Sequence, residues 1–307
     1  LLAAVVITLL GACKRWDDHI ALDDAQMNET VMQQIDGTPE LSTFDGYLKK
    51  TGLDKVISTS KDYTVWAPNN DALKQLSADT VSDTAKLKAF LLNHISQGLY
   101  LAANLADSVR VPMLNGKKLT YASGMLEGIS LAGTDIRARN GALQILNGYV
   151  APRPSIWEYL ESHQDQFQES AFITALNYSA QDPSLAVVDS INSVTGQPVY
   201  HPGTGIVVTN AYLSRVADIS SEDSLFTFVL LTDAGYQASR DRQKPFFKSA
   251  DPAVTDSNAC WNVVKDLAFS GLTAPGALPD SLVSRYGVHV PVSRSAIVDS
   301  VRASNGI

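Results

Sequence analysis

The groups in this 307-residue chain with reactive side chains include five histidines, two cysteines and 32 carboxylates. Their spacing decides what chemistry is open to them. His94 lies in the apolar run Phe90-Leu91-Leu92-Asn93-His94-Ile95. A metal site there would need further converging ligands, and no local spacing supplies them, so His94 reads as a hydrogen-bonded core histidine. Asp17, Asp18, Asp23 and Asp24 could attract a divalent cation, but the twelve-residue calcium-loop pattern is missing and they read as a solvated linker. The chain contains no Gly-x-Ser-x-Gly elbow, His-Glu-x-x-His pair, phosphate loop or Gly-x-Gly-x-x-Gly fingerprint. His201-Pro202-Gly203-Thr204-Gly205 is a turn cluster; it lacks the strand before and helix after that a phosphate cradle requires. A glycosidase carboxylate pair is defined by distance in space, and sequence spacing does not decide it. The expectation is no catalytic residue, no metal ligand and no cofactor.

The cysteines point to an address. Residues 1–10 are uncharged and almost wholly apolar, the length of a signal-peptide core and too short to span a bilayer. Leu10-Gly11-Ala12-Cys13 follows and resembles the bacterial lipobox, in which small residues precede the cut and the cysteine thiol is lipidated. Acyl chains at about 0.8 kcal/mol per buried CH₂ make a durable anchor. The alternatives are a plain secretory signal or a buried apolar segment. The chain opens without Met or a basic n-region, so the signal is expected to begin upstream. With Cys13 lipidated, Cys260 has no intramolecular disulfide partner, and beside Trp261 and Val263-Val264 it reads as a small buried hydrophobe. The expected location is the cell envelope, with a lipid anchor in the outer membrane of a Gram-negative bacterium. A net charge of −8 at pH 7 argues against nucleic acid or an anionic lipid face as partner.

The elements that must position these residues are most legible in Tyr63-Thr64-Val65-Trp66-Ala67-Pro68-Asn69-Asn70-Asp71-Ala72-Leu73. Residues 63–66 are β-branched or aromatic and predict a strand. Pro68 cannot donate to a ladder and ends it. Asn69 and Asn70 are N-cap residues, and Asp71 suits the first turn of a helix. Residues 84–95 predict a helix stopped by Gly98. Short strands follow at turn signals such as Asn115-Gly116 and Asn140-Gly141. The organisation expected is a signal at 1–13, a polar tether at 14–39 with a short helix compatible with 30–35, one domain at 40–152 and a second at 153–307. In the second, residues 262–269 match the buried helix of the first, and residues 288–292 and 296–301 read as strands.

Three motifs carry a resemblance. Thr64-Val65-Trp66-Ala67-Pro68-Asn69-Asn70-Asp71-Ala72-Leu73 resembles the first signature of the fasciclin domain, Phe90-Leu91-Leu92-Asn93-His94-Ile95 its central helix, and Ile136-Arg137-Ala138-Arg139-Asn140-Gly141-Ala142-Leu143 its second signature. A degraded copy follows: its first signature keeps Thr227 and the apolar strand but has Leu230-Leu231 in place of Ala-Pro, and Ser295-Ala296-Ile297-Val298-Asp299-Ser300-Val301-Arg302-Ala303-Ser304-Asn305-Gly306 resembles the second signature. Asn140 follows Thr64 by 76 positions and Asn305 follows Thr227 by 78, which supports a repeat. The closing strand of this copy is expected beyond Ile307, and the loss of Ala-Pro predicts a looser strand-to-helix turn. The resemblance implies an α+β fold of tandem fasciclin-like domains, each a small twisted β-sandwich or wedge packed with helices. It implies structural roles for Thr64, Ala67, Pro68, Asn70, His94, Asn140 and Gly141. Asp135-Ile136 falls where adhesive animal members carry a receptor-contact pair; a surface turn is the plainer reading. The function implied is non-catalytic adhesion or extracellular binding of matrix, polysaccharide or a cell-surface protein. An alternative is an accessory glycan-binding component of an outer-membrane uptake system.

Overall fold

The computed structural model describes residues 28–104, 107–132 and 135–307. Cys13, the signal segment and the first half of the expected tether lie outside these residues. The chain divides into two units, residues 1–152 and 153–307.

In the first unit, α1 (Val31–Asp36) starts at a capping box: the Thr30 hydroxyl accepts from Gln33 N while the Gln33 side chain accepts from Thr30 N. This short helix is core. Val31 and Ile35 are fully buried and Met32 nearly so, packed into the same apolar cluster as Leu41, Phe44 and Leu48. The tether expected over 14–39 therefore gives way before residue 40, because alternating polar residues hid three apolar contacts that only the fold collects. Helices α2 (Ser42–Thr51) and α3 (Leu53–Ile57) follow, separated by Gly52 in the left-handed region (φ +73°).

Strand β1 (Tyr63–Pro68) is buried along its whole length. It stops at Pro68, and α4 (Asn70–Leu73) starts at once, capped by the Asn69 side chain, which accepts from Ala72 N at 2.8 Å. After α5 (Ala78–Ser82) comes α6 (Thr84–Leu92), capped by Asp83. The helix ends sooner than expected. Ile95 belongs to β2 (Ile95–Gln97), antiparallel to β1, and His94 lies in the turn between α6 and β2. Pairing with β1 overrides helix propensity there. Strands β3 (Val109–Pro112), β4 (Lys118–Ala122), β5 (Met125–Leu126) and β6 (Ile129–Ser130) form an antiparallel meander. Then β7 (Ile136–Ala138) turns at Asn140-Gly141 into β8 (Gly141–Leu146), which returns parallel to β1. The first sheet has the order β2-β1-β8-β7.

Period-two alternation distributes β1 and β8 between two cores. Val65, Ala67, Leu143 and Ile145 join the helical core; Trp66 and Leu146 join Val111, Met113, Leu119 and Tyr121 of the meander. A parallel pair covered on both faces needs this near-continuous apolar character.

The second unit opens with α7 (Ile156–Ser162), again at a capping box, Ser155 with Glu158. After α8 (Gln168–Thr174) the chain leaves on a two-part ribbon: β9 (Asn177–Gln181) pairs with β12 (Ile206–Asn210), and between them β10 (Val188–Ile191) pairs with β11 (Pro198–Tyr200). Then come α9 (Ala211–Arg215), β13 (Phe226–Phe228), α10 (Asp233–Gln243), α11 (Pro252–Val264), β14 (Ala268–Ser270) and the hairpin β15 (Ser281–Val283) with β16 (His289–Pro291). Residues 296–301 are not the strand expected. Val298 is 83% exposed, and among the described residues the segment has no partner strand to hold it extended. Cys260 is buried, as its apolar setting predicts.

Candidate functional site

The motif residues converge on one hydrogen-bonded frame around β1. Asn140 is its keystone. Its Oδ1 accepts from Val31 N (2.9 Å), its Nδ2 donates to the carbonyls of Ile57 and Thr59 (both 2.8 Å), and its own carbonyl accepts from Tyr63 N (2.9 Å). One buried residue thus ties α1 and the end of α3 by its side chain and the start of β1 by its carbonyl. Gly141 must follow it: φ is +142°, and a Cβ would sit 1.7 Å from the Tyr63 carbonyl oxygen. Thr64 Oγ1 donates to Gly98 O (2.7 Å) and accepts from Tyr100 N (2.9 Å), fixing the exit of β2. Ala67 is fully buried in the helical core. Asn70 accepts from Thr43 N (2.9 Å) and donates to Pro39 O and Ser42 Oγ, clamping the start of α2.

His94 is fully buried between Phe44 and Phe90, with ring centroids at 6.5 and 4.6 Å. Its Nδ1 faces the Phe90 carbonyl at 2.9 Å and so carries the hydrogen; its Nε2 accepts from Val150 N at 3.1 Å. Both nitrogens are occupied by backbone, and burial pushes the imidazole down to about 4, so it is neutral at pH 7. Its neighbour Asn93 donates to Val150 O and accepts from Asn115 Nδ2. Together they anchor the end of the unit.

Asp135 is partly buried. Its carboxylate accepts from Ala102 N, Ala103 N and Gln144 Nε2, which holds the 102–104 turn against β8. Ile136 packs its side chain against the helical core. The pair is an internal brace in this geometry. Among the described residues, no group of three or more His, Cys, Asp or Glu is placed to hold a metal ion.

The second unit repeats the bonds made by Asn140 and Thr64. Asn305 accepts from Ile156 N (2.9 Å), donates to the carbonyls of Ile219 (2.8 Å) and Ser221 (3.0 Å), and its carbonyl takes Phe226 N (3.0 Å). Thr227 Oγ1 donates to Gly271 O and accepts from Thr273 N, both at 2.9 Å. Gly306 follows Asn305 with Phe226 O where a Cβ would lie, at 2.2 Å. Ile307 donates to Phe226 O and accepts from Phe228 N, the same parallel pairing that β8 makes with β1.

Among the positions that differ, two compensate each other. By the frame, Leu231 stands where the first unit has Pro68, and Glu169 stands where it has Phe44. Proline has no N–H. Leu231 has one, and Glu169 Oε2 accepts it at 2.9 Å. Glu169 is fully buried and burial pushes its carboxyl up to about 8. Residues 229–232 separate β13 from α10, where Asn69 alone separates β1 from α4, so the connection is longer without Ala-Pro while the helix cap is kept. Thr232 caps α10 as Asn69 caps α4, in nearly the same backbone conformation, with Tyr236 N donating to Thr232 O as Leu73 N does to Asn69 O. At the position of His94 lies Leu267, whose carbonyl accepts from Val229 N as that of His94 does from Trp66 N. Sequence reasoning missed Glu169 because a carboxylate on an amphipathic helix ordinarily faces water.

Comparison with known proteins agrees with this frame. Residues 39–152 match the model of the Fasciclin domain. The protein sll1483 of Synechocystis is 27% identical over 133 residues, 40% of this chain and 73% of that protein. Stabilin-1 of Mus musculus is 26% identical over 180 residues, which is 52% of this chain and 7% of the relative. The transforming growth factor-beta-induced protein ig-h3 of Sus scrofa is 26% identical over 131 residues, 40% of this chain and 19% of the relative. The chain therefore corresponds to a small part of the two animal proteins. A solved FAS1 domain pair from the insect cell adhesion molecule Fasciclin I is similar with a TM-score of 0.31 at 15% identity, covering 78% of this chain and 76% of that one. The match to the Fasciclin domain covers residues 39–152, which lie in the first unit.

Proposed function

We propose that the chain is a non-catalytic adhesion or extracellular binding protein built from two fasciclin-like units, held to the cell envelope by a lipid on Cys13. The observation that carries the reading is the match to the Fasciclin domain at 39–152, whose motif side chains are spent on internal hydrogen bonds. A frame so occupied supports presentation of surface loops rather than bond-making chemistry. The repeat of that frame around Asn305 and Thr227 supports the second fasciclin-like unit. Partners of the expected kind are matrix, polysaccharide or a cell-surface protein. Among the described residues no helix is long and apolar enough to cross a membrane, so membrane attachment in this reading rests on Cys13.

The test has two arms. Cells lacking the protein are scored for attachment to matrix protein, to polysaccharide and to neighbouring cells, with complementation by the parent gene and by Cys13→Ser. Loss of attachment restored only by the parent supports the reading. Unchanged attachment in all three assays removes it. Binding confined to glycans would instead favour the accessory role in polysaccharide uptake.

A further inference from the structure

We infer that the ribbon of residues 177–210 is a self-association device, through which strand β12 pairs antiparallel with β12 of a second copy of the chain. The argument starts from its place. In the first unit the helices α2 and α3 are joined by a single residue, Gly52. The matching helices of the second unit, α8 and α9, are joined by the ribbon. The fold closes without it: Asn210 Nδ2 bonds Ile173 O (2.9 Å) and Asn177 Oδ1 (3.1 Å), and Ala211 N bonds Leu176 O (2.8 Å), so the insertion is pinched off at its base. An element the frame does not need calls for another role.

Its surface is unusual for a solvated hairpin. Val188, Ile191 and Ile206 are more than half exposed, Val208 is 74% and Val194 is 92% exposed. The segment contains no Lys, Arg or Glu, and Asp182 and Asp189 are its only carboxylates. Two-stranded ribbons are marginal alone, and exposed edges are normally blunted by charge, proline or a bulge. Three of the four strands are guarded or polar. β10 carries a bulge between Val188 and Ser190 together with Asp189, β11 starts at Pro198, and β9 is largely polar before Asp182-Pro183. β12 is the exception. Its five residues, Ile206-Val207-Val208-Thr209-Asn210, pair in unbroken register with β9 and, among the described residues, with no other strand, leaving one edge open.

The occupant follows from charge and symmetry. A charged partner finds no cation here and only two carboxylates. A second copy meets an uncharged strand identical to itself, and antiparallel pairing of a strand with its copy is two-fold symmetric and closes. Centred on Val208, the pairing sets Val208 opposite its counterpart and Ile206 opposite Asn210, and makes one four-stranded sheet from two marginal ribbons.

Sedimentation velocity on the full chain in the Cys13→Ser background, from micromolar to sub-millimolar concentration, reads the state directly. The expected result is a monomer–dimer equilibrium. Val208→Lys, which puts like charges opposite each other at a position already in water, weakens it by about tenfold or more with unchanged far-UV circular dichroism. Val208→Cys cross-links to dimer on mild oxidation. A parent that stays monomeric throughout, a dimer indifferent to Val208→Lys, or a Val208→Cys chain that does not cross-link overturns the inference. None of these outcomes depends on what the protein adheres to.

Discussion

Glu169 makes the stability of the second unit depend on pH in an unusual direction. Its carboxyl is pushed from an ordinary 4.5 up to about 8, with burial as the leading cause and the Leu231 N–H bond acting against it. Between these values the folded chain holds a proton that the unfolded chain has released. Stability therefore falls as pH rises, by about 1.4 kcal/mol per unit, from a plateau below 4.5 to a floor above 8. The span amounts to roughly 5 kcal/mol, of which about 3 is lost by pH 7. Hydrogen exchange of the full chain, followed on peptides from α8, α10 and α11 and corrected for intrinsic rates, reads this unit separately from the first. Protection should decline between pH 5 and 8. Glu169→Gln keeps an acceptor for Leu231 N but cannot ionise, so it should remove the decline in the second unit and leave the first unit unchanged. Protection that is flat over this range in the parent, or a slope that survives Glu169→Gln, would refute the reasoning.

The first unit should respond in the opposite sense, because His94 is held neutral with a pKa of about 4 against an ordinary 6.5. Protection of β1 and β8 peptides should fall by about 1.4 kcal/mol per unit as pH drops from 6.5 towards 4, and His94→Leu should flatten that slope while costing about 1–3 kcal/mol for the unpaired Val150 N–H. Asn140→Ala strands Val31 N and two carbonyls and should cost about 2–4 kcal/mol in the first unit by thermal or urea unfolding, with Asn305→Ala doing the same in the second. Gly141→Ala should prevent the first unit from folding, visible as loss of dispersed amide signals for its residues, because the Tyr63 carbonyl occupies the space of a Cβ. Transplanting the first unit's pair by Glu169→Phe and Leu231→Pro should be non-additive by roughly 1–3 kcal/mol, the double variant being more stable than the sum of the singles implies; strict additivity would show that the two positions do not compensate.

Chemistry that acts within a few residues is legible in the chain itself. The run from Tyr63 to Leu73 shows its strand, stop and cap because proline, asparagine and β-branched residues act on their own backbone. Asn140-Gly141 is visible as a turn for the same reason. What the Asn140 side chain does is not visible, since its partners Val31, Ile57 and Thr59 are 81 to 109 positions away. The core role of α1 hides among polar residues, and α6 ends before His94 because β2 is claimed by β1. In each case a distant pairing outweighs a local preference worth only tenths of a kcal/mol.

By itself, the sequence determined where the chain turns, which helices are capped, and that one motif set recurs with Leu230-Leu231 in place of Ala-Pro. The tertiary structure decided that Leu231 finds its acceptor in Glu169, that His94 is sealed and neutral, and that a ribbon with one open edge grows where the other unit has a glycine. These outcomes depend on groups far apart in the chain meeting in a space from which water is excluded. There an unpaired N–H or a charge costs several times what it does in water, so the fold itself selects the partner.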